Sequence, residues 1–290
     1  MTQVWTSADH RIIKEVLRKG TFSNKAIERC VCHIQVEKIE VDGIPVIKLS
    51  ERFNSEILNG IYDKEITIGD LNSAIDRDIE RAIQMMFINE HSLVIITLPY
   101  SAEDSSEVKC LKFEVTLTAI KPHKPIWEWT PGEKYLMALK YKEKGVELFK
   151  ASRFVDAFYR FSKACKILIT LEPIQDLELK DILVADINNL KLVLYNNMAN
   201  CHLQRKNFEH TITLCTKILY KDEDNVKALY RRGVAYGNLR DLEKAAADMH
   251  RVLKLQPNNS LAQQHLSSFN EGLRTASKNF NTMVRRMFKA

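Results

Sequence analysis

The sequence predicts two folds in series: an α+β domain made of an antiparallel sheet with one short helix, then an all-α domain of helical-hairpin repeats. Three observations carry this. Apolar residues up to position 120 recur with strand period, those from position 133 onward recur with helix period, and the second part repeats internally. A chain of 290 residues has room for two domains. The expected boundaries are 9–121 for the first domain, 122–132 for a linker and 133–290 for the second.

In the first domain, Ile12, Ile13 and Leu17 belong to one apolar run, Cys30 to Ile39 alternates loosely, and Ile44 to Leu49 reads as a further strand. Ser92 to Leu98 is apolar and β-branched. Leu111, Phe113, Val115, Leu117 and Ala119 alternate with Lys112, Glu114, Thr116 and Thr118, which marks a half-buried strand. Between these strands, Ser73 to Met86 has apolar residues at 75, 79, 82, 83 and 86, the spacing of one amphipathic helix. Pro122 and Pro125 then end the sheet pattern, because neither has a backbone donor for a central strand.

The repeat is the most specific feature. Gly145, Ala199 and Gly233 align as one small position. Nine residues on stand Phe154, Phe208 and Leu242; twelve on, Ala157, Thr211 and Ala245; sixteen on, Phe161, Cys215 and Met249; nineteen on, Ala164, Ile218 and Val252. The second interval is 34 residues, and the first is 54, a unit plus an insertion of 20. A 34-residue helix-turn-helix with small residues where helices cross is the tetratricopeptide signature. The repeats are expected at about 138–171, 192–225 and 226–259, followed by a C-terminal capping helix over 260–288.

Composition excludes several classes. Residues 1–125 carry 16 Lys/Arg against 19 Asp/Glu, and residues 126–290 carry 27 against 18, so the basic excess lies in the repeats and favours an acidic partner. No apolar run reaches the ~20 residues of a membrane span. Charge at Asp9, Arg11 and Lys14 interrupts any N-terminal apolar segment, and a soluble cytoplasmic protein is the expectation. Of six cysteines only Cys30 and Cys32 are close, and C-x-C without a second pair reads as packing rather than zinc or a disulfide. There is no phosphate-binding glycine loop, G-x-S-x-G or H-E-x-x-H run, so neither a cofactor nor a metal is expected. The acids Asp76, Asp78 and Glu80 sit at a helix start, where they complement the helix terminus.

Four polar residues fall on the first helices of the repeats: Lys142, Asn197, Lys227 and Arg231. Lys227 and Arg231 are i and i+4 and share a helix face. Lysine supplies a point charge, arginine a fork of donors, and asparagine can orient the main chain of an extended peptide. From spacing alone, a receptor for two carboxylates and an ordinary solvated surface explain these residues equally.

The runs WEWTPGEKY, KEKGVELFK, NNMANCHL and VKALYRRG resemble those of tetratricopeptide-containing FKBP-type immunophilins. The resemblance implies that Lys142, Asn197, Lys227 and Arg231 form a carboxylate clamp for the acidic C-terminal tail of heat-shock protein 90. The 70-kDa heat-shock chaperone, also acidic at its tail, is the other implied partner. A further clamp asparagine common in the family is Val146 here, which offers no hydrogen bond. More distantly, IIKEVLRKG, CVCHI, ITIG, IDRDIERAIQMM, LVIITLP and LKFEVTLTAI resemble the strands and helix of the FKBP domain.

Departures gather where the resemblance places an isomerase pocket, at Ile75 and Asp78. The family's tryptophan floor aligns with Asp78, and no Trp occurs between Trp5 and Trp127. The family's aromatic-glycine-proline loop is reduced to SAEDSSEVK at 101–109, and its Phe-Asp pair is replaced by ERFNS at 51–55. A carboxylate facing an apolar proline site carries a desolvation cost. The expectation is therefore a non-catalytic co-chaperone linking heat-shock protein 90 to a client. The resemblance to short immunophilins, including the terminal VRRMFKA, extends this to germline small-RNA (piRNA) loading, transposon silencing and meiosis. The alternatives are a weakly active peptidyl-prolyl isomerase and nucleic-acid or lipid binding through the basic C-terminal helix. Direct nucleic-acid or membrane contact is not the leading expectation, because no aromatic-basic interleaving suggests a base-reading surface.

Overall fold

The structure is a computed structural model that describes residues 3–49, 53–98 and 110–288. The chain divides into two compact units, Met1–Trp129 and Thr130–Ala290. No described helix is long and apolar enough to cross a membrane. The segment 101–109 and part of ERFNS lie outside the described residues.

The first unit contains strands β1 (Val4–Thr6), β2 (Ile12–Arg18), β3 (Val31–Val41), β4 (Ile44–Pro45), β5 (Asp63–Thr67), β6 (His91–Thr97) and β7 (Cys110–Lys121), with helix α1 (Ala74–Ile83) between β5 and β6. All pairings are antiparallel, in the order β1-β2-β6-β7-β3-β4. Strand β5 also joins β3, so one flank of β3 carries β5 along Val31–Gln35 and β4 at Glu40–Val41. Alternation decides which side chains turn inward. Ile12, Cys32, Ile34, Val36, Val94, Ile96, Leu111, Phe113 and Val115 share one buried core with Ile75, Ile79, Ala82, Ile83 and Met86. The five apolar positions picked out by helix period are all in that core.

Two strand expectations are corrected. Ile44 to Leu49 contributes only the pair Ile44–Pro45, since Pro45 cannot donate to a ladder and Ile44 and Ile47 are exposed. Strand β1 was missed, and β5 was marked only through the resemblance of ITIG, for the sequences VWT and DKEIT are too short or too charged to show period. Cys30 lies just before β3 rather than on it, yet Cys30 and Cys32 both pack as apolar groups, and burial pushes the Cys32 thiol up to about 12.

The second unit is three helical hairpins and a last helix. The hairpins are α2 (Pro131–Lys150) with α3 (Phe154–Ile169), α4 (Asp181–Gln204) with α5 (Phe208–Lys221), and α6 (Val226–Asn238) with α7 (Leu242–Leu255); α8 (Ser260–Met287) follows. Helix α2 starts with a capping box in which Thr130 and Glu133 satisfy each other's backbone donors. The 20-residue insertion becomes the connection after α3 and a longer α4.

The small and large positions of the repeat meet as pairs. A β-carbon on Gly145 would fall 2.5 Å from the Phe161 ring, and one on Gly233 2.7 Å from Met249 Cε. These are the residues sixteen apart in the sequence pattern. Ser152, Lys206 and Arg240 turn each hairpin with positive φ (59°, 59° and 66°), at the same 54- and 34-residue spacing. The two residues that close each turn donate to carbonyls of the preceding helix, as Lys206 does to Leu203 and Asn207 to His202. Helix α8 covers the last hairpin with Ala262 and Phe269. Its distal half exposes Phe280, Met283 and Met287, and Phe288 just beyond it is exposed as well.

Candidate functional site

The first helices of the second and third hairpins, with the turns beside them, line a cavity of about 1240 Å³. Asn197 from α4 and Lys227 and Arg231 from α6 all line it. Their convergence follows from spacing: Lys227 and Arg231 are one helical turn apart, and Asn197 and Arg231 each stand two residues before the small position where helices cross. Lys142 is on α2 and half-buried, and it is not among the residues lining this cavity. Three of the four expected residues are thus brought together. Val146 is also on α2 and half-buried.

Charge is distributed unevenly in this cavity. Arg231 is half-buried and pairs with no carboxylate among the described residues; its Nη1 donates to the neutral Asn196 Oδ1 at 2.9 Å. Burial pushes its pKa below the ordinary arginine value. The next residue behaves in the opposite way. Arg232 forks onto Asp248 through Nε at 2.8 Å and Nη2 at 2.7 Å, and this holds its pKa up. Lys206 and Lys227 also line the cavity, against Asp222 and Asp224. Asp224 is engaged by Arg251 at 3.0 Å, and Asp222 accepts from Asn225 at 2.9 Å. A concave surface with three cations against two acids that are already engaged, and with one guanidinium that meets only a neutral amide, is suited to an anionic ligand.

Asparagine dominates the polar lining: besides Asn197, the side chains of Asn189, Asn196, Asn200, Asn225, Asn238 and Asn259 border the cavity. Such amides can donate to and accept from an extended main chain. Sequence reasoning picked out Asn197 alone. Asn225 and Asn259 were visible in principle, as caps preceding α6 and α8 at the 34-residue spacing.

Residues 5–122 match the family described as BDBT FKBP like N-terminal, residues 130–213 match Bride of doubletime-like, TPR domain, and residues 226–259 match Tetratricopeptide repeat. These matches show an FKBP-like N-terminal domain joined to tetratricopeptide repeats. A curated relative, peptidyl-prolyl cis-trans isomerase FKBP4 of Homo sapiens, is 31% identical over 218 residues, which are 73% of this chain and 46% of that protein. The chain therefore spans less than half the length of that relative. Among solved structures, residues 1–211 of CG17282 superpose with a TM-score of 0.57 at 24% identity, over 72% of this chain and 95% of that one, which shows the fold. The first tetratricopeptide domain of Spaghetti (RPAP3), solved with the HSP90 peptide SRMEEVD, is 28% identical over 48% of this chain and 95% of that one, with a TM-score of 0.39.

In the FKBP-like domain the acids of α1 are held by the domain itself. Ser73 caps the helix, and its hydroxyl accepts from the Asp76 backbone at 3.0 Å. Asp76 accepts from Ser55 Oγ at 2.5 Å and from the backbone of Glu56 at 2.7 Å, fastening the preceding loop; burial still pushes its pKa up. Asp78 is paired by Arg11 at 2.9 Å and Arg81 at 3.3 Å. Glu80 accepts from the Gly69 backbone at 2.7 Å. Because α1 begins at Ala74, Ile75 occupies its first turn, buried in the core, and Asp78 lies one turn further along. A cavity of about 260 Å³ in this domain is elsewhere, against Met85, Phe87 and the buried Lys14–Glu90 ion pair.

Proposed function

We propose that the repeat groove binds the acidic C-terminal end of a chaperone, heat-shock protein 90 before the 70-kDa chaperone, and that the FKBP-like domain serves as a non-catalytic adaptor for a client. The observation that carries the first half is Arg231, a guanidinium with no carboxylate partner among the described residues, in a cavity shared with Lys227 and Asn197. Burying a cation without a counter-charge is costly, and a ligand carboxylate would offset that cost. Lys142 would join from α2 as a further point charge along the peptide.

The second half is supported by the use already made of the α1 acids. Arg11 and Arg81 flank Asp78 at the helix position aligned with the family's tryptophan floor, so an ion pair stands where an apolar proline site would need an aromatic surface. The germline small-RNA setting rests on the family resemblance, and recovery of the chain with its client from germline but not somatic extract tests it.

Calorimetric titration with the peptide SRMEEVD, and with the tail of the 70-kDa chaperone as competitor, tests the groove. Saturable binding lost in Arg231→Ala and Lys227→Ala is the expected result. Equal binding by both variants and the unaltered chain would remove the clamp. A protease-coupled assay on a Pro-containing peptide is expected to stay at background.

A further inference from the structure

Asn196 and Asn197 are neighbours on α4, and both line the groove. Asn196 is the more buried, with 8% of its surface exposed. Its Nδ2 donates to the Leu192 carbonyl at 3.2 Å and reaches Asn225 Oδ1 at 3.5 Å. Those two oxygens take the N–H end of the amide, so its oxygen faces Arg231, where it accepts from Nη1 at 2.9 Å. Asn225 is fixed in turn. Its Oδ1 accepts from the Ala228 backbone at 3.0 Å as the cap of α6, and its Nδ2 donates to Asp222 Oδ2 at 2.9 Å. A relay therefore runs from the end of α5 through the cap of α6 to α4, and it ends on the guanidinium.

The identity of the acceptor matters as much as its position. An amide oxygen can hold one guanidinium N–H without cancelling the charge, whereas a carboxylate would neutralise it, as Asp248 does for Arg232. The remaining N–H groups of Arg231 stay available to the cavity. An arginine held in one rotamer loses less freedom when it binds than one that must be ordered by the ligand.

We propose that Asn196 is a positioning residue of the groove, holding Arg231 in the orientation that receives a peptide carboxylate while leaving its charge unspent. The inference rests on the groove reading above, and it concerns a residue outside the clamp pattern that the family resemblance implied.

Three variants of the full chain test it by calorimetry: Asn196→Leu, Asn196→Asp and Arg231→Ala. The probes are SRMEEVD and its uncharged analogue, with Gln and Asn replacing the acids and an amidated end. Asn196→Leu is expected to weaken the acidic peptide about tenfold while leaving weak binding of the analogue unchanged, because only the charged contact loses its geometry. Asn196→Asp is nearly isosteric and keeps an acceptor toward Arg231, although it loses the N–H donated to Leu192 and Asn225. It is expected to weaken the acidic peptide about a hundredfold and flatten its salt dependence, since Arg231 then has an internal counter-ion. Melting curves guard against global loss of structure. If Arg231→Ala abolishes binding but both Asn196 variants bind the acidic peptide normally, or lose both peptides in equal proportion, Asn196 has no positioning role and the groove reading stands. If Arg231→Ala binds normally, the groove reading itself fails.

Discussion

The two units each carry a partly buried charge on a helix, and they answer it differently. In the FKBP-like domain, Asp78 on α1 meets Arg11 and Arg81. In the repeats, Arg231 on α6 meets a neutral amide and an open cavity. Removing a charge from water is unfavourable, so a charge with an internal counter-ion is part of the scaffold, and one without is prepared for something that arrives. Arg231 and Arg232 show the same contrast one residue apart, on the same helix, which makes it unusually easy to test.

The largest effects should separate those two arginines. Arg232→Ala leaves Asp248, 8% exposed, without its fork, and should lower unfolding free energy in urea by about 2–4 kcal/mol; Arg232 is a fifth exposed, which keeps this below the top of the range for buried pairs. Peptide affinity in the folded fraction should change little. Arg231→Ala should do the reverse, leaving the urea midpoint unchanged or raised and weakening the acidic peptide by about 2–5 kcal/mol. Loss of stability in both variants, with binding intact in both, would erase the distinction between scaffold charge and ligand-ready charge.

Packing comes next. Gly145→Ala places a methyl 2.5 Å from the Phe161 ring and should cost about 1–3 kcal/mol, reduced by alanine's better helix propensity. Phe161→Leu in the same chain should recover part of that cost, because the two residues form one contact. Additive losses in the double variant would show that the pair does not couple, and would weaken the basis on which the repeat register was read.

That register was legible because a helical repeat writes itself twice, in residue size and in spacing. Gly145 with Phe161 and Gly233 with Met249 could be paired from sequence, since crossing helices require a small residue against a large one. The helix α1 was legible from five apolar positions. Other features were not. Strand β5 reads DKEIT and shows no alternation, for it is held by pairing with β3 rather than by its own pattern. Asn197 was found because a family pattern marks it, whereas Asn196 acts through amide geometry that composition and period do not encode. Nor did spacing reveal that Lys142 on α2 is not among the residues lining the cavity that holds the other three.

On the scaffold side, Asp78→Asn should have a modest effect. Arg11 and Arg81 are 38% and 40% exposed and can turn to water, so the loss should be about 1 kcal/mol or less. Turnover of a Pro-containing peptide should remain at background in this variant as in the unaltered chain. Isomerase activity appearing on removal of the charge would mean that an apolar pocket persists beneath the ion pair, and the adaptor reading of this domain would have to be given up.

The smallest effect concerns a buried base that has no carboxylate partner among the described residues. His202 on α4 packs against the Phe158 ring at 4.6 Å and stacks on His210 at 5.1 Å. Burial pushes its pKa below the ordinary 6.5, and the charges of His210 and Arg205 add to this. The folded state thus prefers the neutral ring, while the unfolded chain takes up a proton near 6.5. Above that pH both states are neutral and His202 contributes no slope. Between 6.5 and the lowered folded value the unfolded chain binds more protons, so stability falls as the pH falls. The urea midpoint should therefore be flat from pH 8 to 7 and decline shallowly below 6.5. His202→Phe should remove part of that decline, leaving the part due to His265, which burial also lowers. An undiminished slope in the variant would place the acid sensitivity elsewhere, and would show that burial of a titratable group in these repeats does not by itself set their stability.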